Sequence, residues 1–391
     1  MADRGPGTAR AGGHWQLNLR LHAPPWLPPA ATASGVAIGL LASALILVGA
    51  GVPLSDLGRE LAATLFGSPR ALAAVLTQAA PLIVVGLAAA LAFRASFWNI
   101  GLEGQIILGA IFATGVALAD PGPEALRLPL MALAAAAGGA LWMLGPALLK
   151  LRLGVSEIMS TLMLNYVAFN LLLWLLYGPW IDPGSGFPHS APFDAAERLP
   201  KLGFGGVGWG LPLALALGAV SWWLMERSRP GYLLAFLHAN PSMARSVGVP
   251  VAALALLAAL GSGALAGLAG FTLVAGVEFR LTQAHQLGYM FSGILIAFLA
   301  RNRPLAVVVV AFAVAVLMVL GQSLQVFYQI PLAVVTLIQA VIITCVAASE
   351  FAVRYRLDRV GRAPSGSPPT APATAPAIAP AAAPGRVVGA G

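Results

Sequence analysis

Residues 97–109 combine residue types that seldom occur together between two long apolar runs. The stretch reads Phe-Trp-Asn-Ile-Gly-Leu-Glu-Gly-Gln-Ile-Ile-Leu-Gly and carries one carboxylate, Glu103, with two amides, Asn99 and Gln105. An ionisable side chain at membrane depth costs roughly 2.5–3.5 kcal/mol even on lenient insertion scales, so it usually has a function. The glycines favour a backbone that departs from a plain helix, which lipid tolerates only where protein or water covers it. The stretch therefore predicts a polar site, or a packed hinge beside one.

Two interpretations of the Glu103 carboxylate stay open. In the first, it lines a polar passage or accepts amide hydrogens from unwound backbone. In the second, it lies at the water interface, at the end of a loop, and pairs with Arg94. Proton coupling normally needs several buried carboxylates, whereas the other acids fall mostly in loops or at the ends of apolar runs. That distribution weakens a proton-driven mechanism.

A second polar group occurs at helical spacing within residues 155–166. Glu157, Ser160, Thr161 and Asn165 recur three and four residues apart, which places them on one stripe of a helix. Such a stripe either contacts a polar solute or supplies hydrogen bonds between helices. The second interpretation is favoured, because polar residues commonly join helices inside a membrane.

Patterns of common enzyme sites do not occur in the chain. Neither lysine belongs to a phosphate-binding Gly-Lys-Ser/Thr loop, since Lys150 follows a leucine and Lys201 follows a proline. Zinc-binding HExxH and hydrolase GxSxG patterns do not occur either. The five histidines are scattered, and the single cysteine, Cys345, excludes an intrachain disulfide. We therefore predict no catalytic residue, no metal site and no cofactor in this chain.

Composition indicates an integral membrane protein. The chain is 59% hydrophobic and 9% charged, whereas globular domains carry about 25% charged residues. Continuous Ala/Leu/Val/Gly runs favour helices over the alternating segments of a β-barrel. We predict an all-α polytopic bundle of about ten spans, at residues 33–52, 71–93, 104–119, 129–149, 158–178, 208–225, 249–275, 288–300, 304–323 and 331–348.

The distribution of basic residues predicts the orientation. With a cytoplasmic N-terminus, six of the 22 lysines and arginines fall outside and the rest inside, as positively charged cytoplasmic loops require. Both termini are therefore expected in the cytoplasm. The predicted organisation is an N-terminal segment 1–32, a transmembrane domain 33–348 and a disordered Pro/Ala-rich cytoplasmic tail 349–391. Within the domain, loop 179–207 is outside and loop 226–248 is cytoplasmic.

Two further patterns concern packing and docking. Gly263 and Gly267 lie four residues apart in the small-residue run 261–270 and predict close helix packing. In the cytoplasmic loop, Asn240-Pro241 is a good helix start, and Gly248 is a good end. The local pattern fits a surface helix that docks a soluble partner and an ordinary connecting loop equally well.

The two polar motifs, in this order, resemble the permease subunits of bacterial ABC importers in the branched-chain amino acid and simple-sugar permease superfamily, nucleoside branch. The hallmark Phe-Asn-Ile-Gly-x-Glu-Gly-Gln is seen at Phe97 to Gln105, with Trp98 inserted before Asn99. The second family motif, which includes Ser-Thr-hydrophobic-Met-Leu-Asn-Tyr, matches Glu157 to Tyr166. The resemblance extends from about residue 70 to residue 348.

The resemblance implies a dimeric pore, made of two copies or of paralogues, in the bacterial inner membrane. It also implies two cytoplasmic ATPase subunits, which bind ATP and Mg, and an extracytoplasmic solute-binding lipoprotein; nucleic acid is not an expected partner. The motor then belongs to another chain, in keeping with the missing phosphate-binding loop. The Asn-Pro-x-x-Ala-Arg-x-x-Gly pattern matches the family's coupling segment, and the expected ATPase contacts are Leu237, His238, Ala239, Asn240, Pro241, Ala244, Arg245 and Gly248.

By this resemblance the expected cargo is a nucleoside, carried by alternating access. A simple-sugar importer and an ion-coupled secondary transporter are the alternatives. Relatives commonly carry an acidic residue where Ser292 stands, so the cargo is less firmly implied than the mechanism. The residues expected along the substrate passage are Asn99, Glu103, Gln105, Ser160, Thr161, Asn165 and Ser292.

Overall fold

The computed structural model describes residues 14–20, 24, 26–203, 205–283 and 288–360. Within them the chain is almost entirely helical, as the sequence predicts. Short π-helical turns extend α2, α7 and α10 at Ala63–Gly67, Trp223–Arg227 and Val274–Glu278. The helices are α1 Leu27–Gly49, α2 Leu54–Ala62, α3 Pro69–Arg94, α4 Leu102–Ala119, α5 Glu124–Leu153, α6 Glu157–Tyr177, α7 Gly210–Trp222, α8 Arg229–Ala239, α9 Pro241–Ser246, α10 Val251–Leu273, α11 Tyr289–Leu299, α12 Pro304–Tyr328 and α13 Leu332–Arg354.

Among the described residues, eight helices are long and apolar enough to cross a membrane, by length and composition alone. They are α1, α3, α4, α5, α6, α10, α12 and α13. The other two predicted spans, 208–225 and 288–300, correspond to α7 and α11, which have 13 and 11 residues. The polytopic helical fold is thus confirmed, while the number of ten crossings and the cytoplasmic termini stay predictions.

Helix α3 lies at the centre of the bundle. It begins where the Ser68 hydroxyl accepts a hydrogen bond from the Ala71 amide at 3.1 Å, with Pro69 in the first turn. Every side chain from Gln78 to Phe93 is buried, because α7, α10, α11 and α12 surround this helix. An apolar helix without a polar face, packed on all sides, is the expected core element.

Glycines allow α10 to approach α4 and α5 closely. A Cβ atom at Gly267 would overlap the Ala135 carbonyl of α5, and one at Gly109 of α4 would overlap the Gly267 backbone. A Cβ atom at Gly139 would meet the Gly263 carbonyl. The predicted packing role of Gly263 and Gly267 is therefore confirmed.

Outer loop 179–207 is anchored to the bundle at two places. Its Ser190 amide donates to the Leu281 carbonyl at 3.0 Å, and the Leu281 amide donates to the Ser190 hydroxyl at 2.9 Å. Near its end, buried Glu197 accepts a hydrogen bond from Arg127 of α5 at 3.1 Å, while Arg127 also pairs with Asp120 at 2.7 Å. Burial raises the pKa of the Glu197 carboxyl, and the nearby Asp120 carboxylate adds to this effect.

The structure differs from the prediction at the two ends of the domain. Residues 349–354, expected in a disordered tail, complete α13, and strand β2, Tyr355–Val360, follows. Strand β1, His14–Leu19, pairs with it in antiparallel register. Residues 361–391 of the predicted tail lie outside the described residues. Amphipathic helix α2 was also missed, since nine residues are too few for a span.

Candidate solute passage and coupling surface

The backbone departs from helical geometry where the first polar motif lies. Helix α3 ends at Arg94 and α4 begins at Leu102. We call residues 95–101 between them the connector loop. Ser96 has a φ of +55°, in the left-handed region that L residues seldom adopt. The break that the glycines predict is confirmed, and it is covered by protein, because Ala95, Phe97, Asn99 and Gly101 are buried.

Asn99 and Gln105 form a closed pair inside the protein. The Asn99 Nδ2 group donates to Gln105 Oε1 at 2.9 Å, and Gln105 Nε2 donates to Asn99 Oδ1 at 3.0 Å. Asn99 also donates to the Ser262 hydroxyl of α10 at 3.0 Å and accepts from the Gly101 amide at 3.0 Å. Both side chains are almost fully buried. Their polar atoms are therefore engaged with protein, which is what a buried amide needs.

Asn165 joins the second motif to the first. Its Oδ1 atom accepts from the Gly104 amide of α4 at 2.9 Å, and its Nδ2 group donates to the Ile100 carbonyl at 2.9 Å. Amides of the first helical turn and carbonyls of a loop have no hydrogen-bond partners within a helix. Here the Asn165 side chain of α6 is the partner of both groups. This contact is the interhelical bond that the stripe predicts.

The other members of the stripe also make protein contacts. Glu157 pairs with Lys150 of α5 at 2.5 Å and accepts from the Trp98 amide at 3.4 Å. The Thr161 hydroxyl is buried and donates to the Glu157 carbonyl at 2.6 Å. Ser160 bonds to the Ser156 carbonyl of the preceding turn at 3.1 Å. All four polar positions thus stabilise α6 or its junction with the connector loop.

Glu103 and Ser292 differ from these residues. Glu103 is half-buried, and it has no hydrogen-bond or ion-pair partner among the described residues. The pairing with Arg94 is not observed in that part of the chain. Ser292 of α11 is 2% exposed, and its hydroxyl has no partner among the described atoms. These two side chains are the predicted passage residues whose polar groups are not engaged with protein in the described structure.

The predicted coupling segment forms a helix–turn–helix surface. Asn240 begins α9, where its Oδ1 atom accepts from the Met243 amide at 3.1 Å and Pro241 occupies the first turn. The segment ends at Gly248, which has a φ of +82°. Leu237 and Ala244 point into the protein, and the exposed members are His238, Ala239, Asn240, Pro241, Arg245 and Gly248. A partner that docks here meets the exposed set, while the two buried residues hold the helices in place.

Sequence reasoning missed several partners of the motif residues. It did not single out Lys150 and Ser262, which contact the connector loop and its amide pair, or Ser96 of that loop, which contacts His238. A lysine seven residues before Glu157 was the available signal for the ion pair. It also missed the outer cluster of Asp120, Asp194 and Glu197, whose carboxylate oxygens lie within 4.8 Å of one another. Arg127 already supplies positive charge to that cluster.

Comparison with known proteins identifies the family. Residues 71–347 match the family described as the branched-chain amino acid transport system, permease component. The chain belongs to this family. The match includes both polar motifs, the connector loop and helices α8 and α9. The chain is therefore a permease component of an ABC transporter and a multi-pass membrane protein. It is a transport subunit without ATPase activity of its own.

Individual relatives are similar in sequence to this chain over most of their length. A glucose ABC transporter permease protein of Haloferax volcanii is 37% identical over 354 residues, which is 88% of this chain and 93% of the relative. A guanosine ABC transporter permease protein of Bacillus subtilis is 31% identical over 329 residues, 83% of this chain and 94% of the relative. A nucleoside ABC transporter permease protein of Lactococcus lactis is 25% identical, over 72% of this chain and 80% of the relative.

Proposed function

We propose that this permease is the membrane-spanning subunit of an ABC importer, which carries a small polar solute across a bacterial inner membrane by alternating access. The observation that carries the proposal is the similarity to ABC permeases over 88% and 83% of the chain. ATP and Mg bind to partner ATPase subunits. The other partners are a second permease subunit, the same or paralogous, and an extracytoplasmic solute-binding lipoprotein.

The cargo we propose is a nucleoside, with a simple sugar as the second candidate. The motifs resemble the nucleoside branch, and three nucleoside or guanosine permeases are among the relatives. The glucose permease, at 37% identity, favours the sugar. Both solutes carry a ring with several hydroxyl groups, so both need a polar passage that binds weakly and releases.

The unpartnered polar side chains support a passage beside the start of α4. Glu103 offers a carboxylate that makes no protein contact among the described residues, and Ser292 offers a hydroxyl. Asn99, Gln105, Thr161 and Asn165 hold the wall of this passage in our proposal, since their polar atoms are engaged. Affinity is then supplied by the binding protein, so the permease does not retain the solute.

The test is uptake by proteoliposomes that contain the chain with its ATPase and binding-protein partners. Radiolabelled guanosine and glucose are supplied separately, with ATP, without ATP, and with a proton or sodium gradient in place of ATP. We expect ATP-dependent accumulation of one solute. Uptake that follows an ion gradient and ignores ATP would select the secondary transporter instead. No uptake of either solute by an assembled, ATP-hydrolysing complex would overturn the cargo assignment.

A further inference from the structure

We infer that the connector loop 95–101 is the mechanical link between the ATPase-facing helices α8 and α9 and the wall of the passage. Its positioning residues are Ser96, His238 and the Lys150–Glu157 pair. The inference rests on the proposed function, and it adds the route by which a partner's motion reaches the passage. The route consists of three consecutive sets of contacts.

The first set joins α8 to the end of α3. Leu234 and Leu237 of α8 are buried in one apolar cluster with Leu91 and Ala95. The contact continues at the next residue, where the His238 Nδ1 atom lies 3.1 Å from the Ser96 hydroxyl, at hydrogen-bond distance. When a docked partner displaces α8, the displacement is therefore passed on to the connector loop at both Ala95 and Ser96. Close packing transmits displacement because side chains cannot interpenetrate.

The second set holds the middle of the loop between α5, α6 and α10. The Phe97 ring is buried with Met143 and Ala147 of α5 and Ala259 of α10. The Lys150 ammonium lies 4.6 Å from the centre of this ring and donates to the Ser96 carbonyl at 3.3 Å.

The same ammonium also reaches α6. Lys150 pairs with Glu157 at 2.5 Å, and Glu157 accepts from the Trp98 amide. The ion pair therefore clamps the loop backbone on both sides of Phe97. The pair is largely shielded from water, with 29% and 14% of the two side chains exposed, so salt screens it less than a surface pair.

The third set joins the loop to the passage wall. Asn99 bonds to Gln105 of α4 and to Ser262 of α10, and the Ile100 carbonyl bonds to Asn165 of α6. The bonded residues of the loop and of α4, Asn99, Ile100 and Gln105, lie two to four residues from Glu103 along the chain. A rigid-body shift of the loop therefore displaces the start of α4 together with the part of α6 that carries Asn165. Measurement of coupling in variants of the loop contacts tests this route.

The experiment uses the complete transporter with its ATPase and binding protein. Ser96→Ala and His238→Ala are each made alone and together. Alanine and serine both carry a Cβ atom, so the positive φ at this position costs both residues a similar amount of energy. Ser96→Ala therefore removes only the hydroxyl. The matched controls lie away from α8 and α9: Ser34→Ala, whose hydroxyl bonds to Ala31 in its own helix, and Thr344→Ala, whose hydroxyl bonds to Ala340 in its own helix. The measured quantities are complex assembly, ATP hydrolysis and solute molecules moved per ATP.

We expect Ser96→Ala to assemble and hydrolyse ATP while solute moved per ATP falls about fivefold or more, within the usual range of coupling factors. His238→Ala also removes an expected ATPase contact, so its solute moved per ATP is compared with that of Ser96→Ala at equal ATP hydrolysis. The double variant should be no worse than the stronger single variant, because both remove one contact. His238→Gln, which keeps a hydrogen-bonding group, should restore part of the coupling, and both controls should match the wild type.

An unchanged ratio in both single variants would overturn the inference. A complex of the Ser96→Ala variant that fails to assemble would also overturn it, since Ser96 is not an expected docking residue and would then be needed for assembly and not for coupling. The proposed function fails separately: in that case the wild-type complex itself moves no solute with ATP.

Discussion

At the scale of single residues, the polar motifs divide into residues that hold the backbone and residues that remain free. Asn99, Gln105 and Asn165 have their amide groups engaged by protein at 2.9–3.0 Å. An unmade hydrogen bond at a buried group costs about 1–3 kcal/mol, so such residues define geometry first. Glu103 makes no comparable contact among the described residues, and that difference separates it from the residues that hold the backbone.

Asn165→Leu should destabilise the protein by about 2 kcal/mol, because the Gly104 amide and the Ile100 carbonyl both lose their partner. Thermal unfolding in detergent measures the change. The matched control is Asn170→Leu on the same helix, where the side chain is exposed and bonds to its own helix at Tyr166. Equal unfolding temperatures for the two variants would contradict the bridging role.

Glu103→Gln should change the free energy of unfolding by no more than about 0.5 kcal/mol, because the carboxylate makes no described protein contact. Thermal unfolding in detergent measures this change. Uptake by the assembled transporter should fall several-fold, since in our proposal the Glu103 carboxylate faces the passage. Glu103→Ala extends the same test by removing the whole polar group. If both variants transport normally at normal expression, Glu103 does not contact the solute.

At the scale of elements, the fit of α10 against α4 and α5 depends on glycine. Gly267→Val should destabilise the bundle by about 3 kcal/mol or more, the upper end for overpacking, because the added Cβ meets Ala135 and Gly139 backbone that cannot move aside. Gly145→Val is the control, since nothing lies within 4 Å of a Cβ there. Size-exclusion profiles and unfolding temperatures should separate the two, and identical behaviour would refute the close approach.

The outer loop should show a pH dependence that originates in Glu197. Its pKa in the folded chain is raised above the ordinary value of about 4.3, so the folded state binds the proton first as pH falls. The contribution to stability is therefore greatest below about pH 4.3 and is lost as pH rises through the raised pKa. Glu197→Gln should remove this slope from unfolding temperatures measured between pH 4 and pH 7. The exposed helix-start variant Glu124→Gln should keep it.

At the scale of the whole molecule, the orientation is still a prediction from loop charge. With Cys345 replaced by alanine, Phe187→Cys in the outer loop should react with a membrane-impermeant maleimide in intact cells. Ser242→Cys in α9 should react only after permeabilisation. Both positions are exposed, so access is limited by the membrane alone. The reverse pattern would place the coupling surface outside and would exclude ATPase docking at α8 and α9.

Family membership explains why this molecule has polar motifs without an enzyme site. The chain is a transport component, and relatives named for glucose, guanosine and nucleosides share the match over most of their length. The connector loop contacts α8 at His238 and α4 through the Asn99–Gln105 pair, and α10 also contacts both helices.

The sequence by itself determined the features that depend on local chemistry. Long apolar runs become helices in lipid because every backbone group must be satisfied internally. The helix break expected in 97–109 occurs at 95–101, Asn240-Pro241 began α9, and Gly263 and Gly267 allowed close packing. Family motifs added the transport role. Each of these follows from residues within a few positions of one another.

Only the tertiary structure decided what each polar side chain contacts. Asn165 meets Gly104 across 61 residues, His238 meets Ser96 across 142, and Asn99 meets Ser262 across 163. Helical spacing places residues on one stripe, but the rotation of that helix decides whether the stripe faces a neighbour or a passage. That rotation is set by packing against distant segments. For this reason the polar stripe of α6 and the break before α4 were identified correctly in sequence, while the partners of both could be found only in the folded chain.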